Sequence, residues 1–268
     1  INEIHDFNIL LGHEWQDYHT ERFSVRSEGQ TNDLLTDIST GTRVTSWDSM
    51  SSSDYSRLSF FGRAEYNLTD KYYLEASIRT DGSSRFGKES KWGYFPSISA
   101  GWSLSKEPFL KDVMPSTDIR LRASWGMSGN NNIGNYSSIA AIGTGTVPFG
   151  SSIFPTSYES SFVDAGLSWE TTKQTNIGLD LGFWNGRLNV IANYYNSITT
   201  DVLYSLGIPS ISGSTSTTTT LGDSKIRNRG FDIQLDARIL EGPVTWTVGT
   251  NFSLNRNKVL FLAEGVDE

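Results

Sequence analysis

Apolar and polar residues alternate with a period of two along most of this chain, the spacing expected of strands whose side chains point to opposite faces. In "YYLEASIR", Tyr72, Leu74, Ala76 and Ile78 share one face, and Tyr73, Glu75, Ser77 and Arg79 share the other. In "TNIGLDLGF", Ile177, Leu179, Leu181 and Phe183 oppose Asn176, Gly178, Asp180 and Gly182. In "GFDIQLDARIL", Phe231, Ile233, Leu235, Ala237 and Ile239 oppose Asp232, Gln234, Asp236 and Arg238. The same alternation runs through "IRLRASWGM", "RLNVIANYYN", "VTWTVGTNFSLN", "RLSFFGRAEYNL" and "YFPSISAGWSL", and less cleanly through "HDFNILLGHEW". Together these stretches predict nine strands, several of ten residues or longer. Strands of soluble domains run to about 5–6 residues, whereas a tilted strand needs about 9–11 to cross a bilayer. The chain is expected to be all-β, with strands of crossing length.

The connections add an asymmetry. "NLTDKY", the "NGR" after Trp184 and the "EGPV" after Leu240 carry tight-turn chemistry. Between them lie long polar stretches at 16–54, 81–92, 128–168 and 200–226. Short and long connections alternate, with one medium link, "SKEPFLKDVMPSTD", in a short-turn place; Ser105 at its start is expected to cap a brief helical turn. Outer-membrane barrels have this arrangement, with short periplasmic turns and long extracellular loops. Tyr66, Tyr72, Tyr73, Trp102, Trp184 and Trp246 sit within a few residues of short turns, where an interfacial aromatic girdle belongs. The expected architecture is an antiparallel up-and-down transmembrane β-barrel segment. The competing reading is a soluble β-sandwich, a carbohydrate-binding or adhesin-like module, in which the same aromatics are core or edge residues.

Composition narrows the function. Charged residues make up 19% of the 268, below the roughly 25% of soluble domains, and aromatics reach 12%. No apolar run approaches the ~18 residues of a membrane helix, which leaves membrane strands untouched. A net charge of −8 argues against nucleic acid as a partner. Without cysteine there are no disulfides, thiolate metal sites or cysteine nucleophiles. The opening "INEIHDFNILLGHEW" has neither the basic nor the apolar region of a signal peptide.

Candidate chemistry is sparse. "TDGSSRFGKES" contains the G-x-x-x-x-G-K spacing of a P-loop, but Glu89 stands where the magnesium-binding hydroxyl belongs, and a strand follows instead of a helix. "GMSGNNNIGNY" reads as a loop whose Asn and Gly residues tolerate positive φ. "STSTTTT" reads as a mobile loop tip. His5 and His13 share parity but stand eight residues apart, too far for one metal, and His19 follows on the exit of that strand. Asp232 and Asp236 lie about 13 Å apart along one strand, too wide for a glycosidase pair. The N-x-S/T triplets at Asn67 and Asn251 fall in or beside strands and carry no weight. No catalytic group, cofactor or metal is expected, and the chain is not expected to be an enzyme.

"IRTDGSSRFGKESKWGYFPSISAGWSLSKEPFL" (78–110), "LRASWGMSGNNNIGNY" (121–136), "LSWETTKQTNIGLDLGF" (167–183) and "NRGFDIQLDARI" (228–239) resemble, in order and spacing, the SusC/RagA family of TonB-linked outer-membrane transporters. The resemblance covers nearly the whole chain. It implies a barrel of about 22 strands around a plug domain, import of glycans or peptides, and energy from a TonB–ExbB–ExbD complex. It also implies a SusD-like surface lipoprotein acting as a lid, and outer-membrane lipid around the wall. Plug, TonB box and barrel-closing strands are absent from 1–268, so the chain is expected to be an internal barrel segment with both termini at or near the extracellular side. Within that frame Glu75, Arg79, Asp180, Asn193, Asp232 and Gln234 are expected to face the lumen. Phe86 and Trp92 are candidate substrate-loop aromatics.

Overall fold

The computed structural model describes residues 4–262 apart from 35, 42, 210, 212 and 213. Its strands are β1 (His5–Glu28), β2 (Arg43–Leu68), β3 (Tyr72–Ser83), β4 (Trp92–Ser103), β5 (Asp118–Asn130), β6 (Ile142–Phe149), β7 (Ser152–Glu159), β8 (Glu170–Phe183), β9 (Leu188–Gly207), β10 (Ser216–Leu240) and β11 (Trp246–Phe261). Nine of them form one sheet in the order β1-β2-β3-β4-β5-β8-β9-β10-β11, each antiparallel to its neighbours. The meander is broken only by β6 and β7, which pair with each other as a separate hairpin. The nine alternating stretches of the sequence are the nine strands of the sheet.

Register turns the alternation into two chemical faces. One row across the sheet runs His5, Leu68, Tyr72, Trp102, Leu121, Leu179, Ala192, Ile233, Phe252. The row beside it on the same face runs Phe7, Tyr66, Leu74, Ala100, Ala123, Ile177, Tyr194, Phe231, Leu254. The next row beyond, on the other face, runs Asn8, Glu65, Glu75, Ser99, Ser124, Asn176, Tyr195, Gly230, Asn255. The apolar face is the open one: Leu74 is 52% exposed, Ile98 55% and Ile177 54%. Glu75, Ser77 and Asn176, on the polar face, are half-buried.

A water-soluble sheet would do the reverse, since each Å² of apolar surface withdrawn from water stabilises by about 25 cal/mol. Here that gain is available only from a surrounding apolar solvent. Among the described residues no second sheet covers the apolar face, so the sandwich reading lacks the dry core it requires.

Three sequence expectations change. The stretches 16–54 and 200–226 are largely not loops: β1 with β2, and β9 with β10, continue as long hairpins well past the length of a crossing. Once a hairpin leaves the membrane neither face meets lipid, so apolar alternation stops while the backbone ladder continues. For the same reason most of "STSTTTT" is strand, with Ser216 to Thr220 paired to Gly207 through Leu203. The sheet also begins and ends at opposite edges of the membrane. His5 lies opposite Leu68 beside a short turn, whereas β11 ends opposite Lys225 at the long-loop end. An odd number of antiparallel strands permits nothing else. Residues 263–268, toward which "VLFLAEGVDE" runs, lie outside the described residues.

The short turns are tight. Thr69 and Asp70 both take φ of 54°, and Lys71 N–H donates to the Leu68 carbonyl at 3.0 Å, the pattern of a type I′ hairpin. At the next such turn the left-handed pair is Trp184 and Asn185, one residue earlier than the Asn-Gly reading placed it, and Gly186 follows at φ 82°. In the medium link a helix, α1 (Pro108–Lys111), follows Glu107 with no side-chain cap; Ser105 Oγ donates instead to Asp118 Oδ1 at 2.7 Å.

Candidate functional site

The polar face is concave. Asn8, Glu65, Tyr73, Glu75, Ser99, Arg122, Asn176 and Asn193, from seven consecutive strands of the sheet, line a single open trough of about 930 Å³. Two charge networks lie on the polar face, one at the trough and one beyond it.

Nearer the short turns, the Arg122 guanidinium forks onto Asp180, with Nε to Oδ2 at 2.8 Å and Nη2 to Oδ1 at 2.6 Å, and Nη2 also reaches Asn193 Oδ1 at 3.1 Å. Gly178 lies between them. A Cβ there would stand 2.9 Å from Arg122 Cζ and 2.8 Å from Asn193 Oδ1, so the glycine gives the planar fork its room. Nearer the long loops, Arg79 Nε donates to Asp81 at 2.9 and 3.0 Å, and its Nη2 donates to Glu14 and to Ser59, both at 3.0 Å. The guanidinium also sits 5.6 Å from the Phe61 ring. Ser59 and Asp81 are buried and hydrogen-bonded to each other.

Every candidate lumen residue is on this face. Glu75 pairs with Arg63 at 3.3 Å, and Gln234 Nε2 donates to Asp236 at 2.7 Å. Asp232 lies directly opposite Asn193 in the ladder. The sequence reading passed over Arg122, Glu14, Asp81 and Ser59, although the parity that selected their neighbours applies equally to them; their cross-strand partners lie up to 65 residues away.

The two aromatic loop candidates separate. Phe86 is 4% exposed, packed with Phe95, Ile133, Leu167 and Trp169 in a small apolar cluster where connections converge at the long-loop end. Trp92 is on the opposite, apolar face, stacked 6.3 Å from Phe60. Neither ring opens onto the trough. Around the cluster, "GMSGNNNIGNY" is pinned by side chains. Arg85 Nε donates to Asn135 Oδ1 at 2.8 Å, Arg85 Nη1 to the Asn131 carbonyl at 3.1 Å, and Asn135 Nδ2 to Ser53 Oγ at 2.7 Å. The asparagines act as hydrogen-bonding groups, while the positive φ in this stretch, 67°, belongs to Tyr136. "TDGSSRFGKES" is the connection that carries Arg85 and Phe86 into this seal.

The aromatics at the short-turn end split by face. Tyr72 and Trp102 stack at 6.2 Å on the apolar side, with polar atoms turned to the water end: both donate to Glu107 Oε1, at 2.6 and 3.1 Å. Trp184 and Trp246 are exposed there as well. Tyr73 departs from the girdle: its alternate parity puts it on the polar face, under Arg120 at 5.8 Å. The hydrogen bond from Tyr72, then that from Trp102, hold the Glu107 carboxyl below its ordinary value, with Lys71 assisting and burial opposing.

A depressed carboxylate stabilises above its unfolded pKa and loses that contribution as pH falls through the folded one. Thermal denaturation followed downward from neutral pH should therefore show an acid-side loss that Glu107→Gln flattens. An unchanged acid limb in the variant would remove Glu107 from the account. His5, His13 and His19 all lie on β1, and among the described residues no His, Asp or Glu grouping has metal-holding geometry.

A long-stranded sheet with an open apolar face and a polar concave one is what a membrane barrel wall requires, and the family comparison agrees. The family model described as TonB dependent receptor-like, beta-barrel, matches residues 3–266. The chain belongs to this family. Over 268 residues it is 34% identical to the TonB-dependent receptor SusC of Bacteroides thetaiotaomicron, covering 98% of this chain and 26% of SusC. Its fold superposes on the RagAB peptide transporter with a TM-score of 0.85 at 30% identity, over 99% of this chain and 29% of that one. The ferric enterobactin receptor PfeA of Pseudomonas aeruginosa matches with a TM-score of 0.57 at 16% identity over 93% of this chain and 33% of its own, a likeness of fold alone. The chain spans about a quarter of the length of the curated relatives it matches. As a TonB-dependent receptor barrel, it resides in the outer membrane.

Proposed function

We propose that residues 1–268 form part of the barrel domain of a TonB-dependent transporter that imports oligosaccharides or peptides, and that they carry out no catalysis. The observation that carries this reading is the inverted sheet, with continuous apolar rows outward and continuous polar rows inward across nine strands. Plug, TonB box and barrel-closing strands belong outside this segment. A SusD-like surface lipoprotein over the long-loop end and the TonB–ExbB–ExbD complex on the periplasmic side complete the machine. Support for peptide cargo comes from the likeness to the RagAB peptide transporter, and oligosaccharide cargo is what the resemblance to the SusC/RagA family implies.

In this reading Glu75, Arg79, Asp180, Asn193, Asp232 and Gln234, joined by Arg122 and Glu14, form the lumen wall against which plug and cargo move. Much of its charge is already paired within the wall, as in Arg122 with Asp180 and Arg79 with Glu14 and Asp81. Such a surface offers hydrogen bonds without a strong single-sign field, which suits neutral hydroxyl-rich or amide-rich cargo. Phe86 serves cargo only through the loop it anchors, and Trp92 serves the membrane interface.

The test is uptake by cells carrying or lacking the gene. Cells with it should accumulate a labelled oligosaccharide or peptide pool, and a protonophore should stop accumulation. Equal uptake by both strains on both pools overturns the reading.

A further inference from the structure

Five cations sit on the outward face of β8, β10 and β11, just past the end of the apolar rows. Above Phe231 and Leu254, the next outward row places Arg229 directly opposite Arg256. The row above that places Arg227 opposite Lys258, with Ile198 on its other side and Lys173 beyond Ile198. Like charges directly opposed across a ladder, with Cβ atoms about 5 Å apart, destabilise it. Elsewhere in the sheet Arg79, Arg122 and Arg238 are neutralised by acidic neighbours. Among the described residues none of these five forms an ion pair, and Lys173 and Arg229, on strands flanked on both sides, are exposed.

Height locates the cluster. Arg256 lies ten residues beyond Trp246 at the short-turn edge, and a crossing takes about 9–11. The cluster is therefore at headgroup level on the extracellular side, with Phe231 and Tyr194, ring centroids 4.9 Å apart, and Leu254 forming the apolar surface beneath it.

We propose that this cluster binds the phosphate groups of an anionic glycolipid of the outer leaflet, whose acyl chains lie along Phe231 and Leu254. The charge complementarity and the cation-over-apolar order match a lipid with phosphate above chains. Free phosphate lacks the second half of that match. This inference rests on the barrel-wall reading.

The test uses the full-length receptor purified in detergent and mixed with phosphatidylcholine vesicles containing either bisphosphorylated lipid A or its dephosphorylated form, with inorganic phosphate as a third arm. Saturable retention and a raised melting temperature are expected with the phosphorylated lipid alone. Arg229→Gln with Arg256→Gln should weaken retention about thirtyfold, at roughly fivefold per cation. Because the change removes a repulsion, folding in phosphate-free detergent should be unharmed, and heat-modifiable electrophoretic mobility checks this. Lys88→Gln, in the connection between β3 and β4, serves as the control.

Equal retention of the dephosphorylated lipid, full protection by inorganic phosphate, or unchanged retention in the double variant overturns the proposal. So does a double variant that keeps the lipid but sheds an acidic co-purifying protein, which would make the patch a protein contact. Loss of heat-modifiable mobility in the unaltered receptor would instead count against the barrel reading itself.

Discussion

Arginine at Leu179 or Ile233 should sharply reduce assembly into the outer membrane, while lysine at Asp232 should leave assembly intact. Leu179 lies between Leu121 and Ala192, and Ile233 between Ala192 and Phe252, in a row of the ladder with no charged side chain. On the lipid face of a barrel an arginine near the midplane costs about 2–4 kcal/mol, a large part of a total stability of order 5–15 kcal/mol. Asp232 is one residue from Ile233 but points the other way, opposite Asn193 and Ser253, where water already solvates a charge. Outer-membrane fractionation with heat-modifiable mobility reads all three variants. Equal tolerance of charge on both faces would defeat the inside-out assignment.

Trp169→Ala is the second. Trp169 is 8% exposed, with ring contacts to Phe86 at 5.1 Å and Phe95 at 5.4 Å, and its Nε1 donates to the Lys91 carbonyl at 3.3 Å. Gly93 makes the fit possible, since a Cβ there would lie 2.4 Å from the Phe95 ring and 3.1 Å from that of Trp169. Truncating a buried tryptophan costs about 3–5 kcal/mol. That loss should fall on the rim, because the sheet below holds itself through its own ladders. Hydrogen exchange should accelerate across 84–91, 131–139 and 160–168 while β3, β4 and β8 stay protected. Uniform acceleration, or none, would mean that the cluster does not organise these connections. Trp169→Phe, which keeps most of the ring volume, should recover most of the protection.

Parity made half of the candidate site legible in advance. Glu75, Arg79, Asp180, Asn193, Asp232 and Gln234 each occupy a polar position of an alternating strand, and alternation is a local property that any window of eight residues displays. Pairing is not local. That Arg122 forks onto Asp180 while Arg79 bridges Glu14 and Asp81 depends on which strands lie side by side and in what register. Phe86 shows the opposite failure: an aromatic in a polar connection looked available, yet connections distant in sequence close over it. Tyr73 looked like its neighbour Tyr72 by proximity to a turn, but one step along a strand reverses the face.

What the amino-acid order determined by itself was the number of membrane strands, their two-faced chemistry and the asymmetry of their connections, because each follows from local periodicity and turn residues. Tertiary structure alone decided how far the hairpins run beyond the membrane, where backbone hydrogen bonds persist without any apolar pattern to announce them. It also decided which charges are neutralised and which, like Arg229 and Arg256, are left facing each other, because electrostatic partners are set by distance in space.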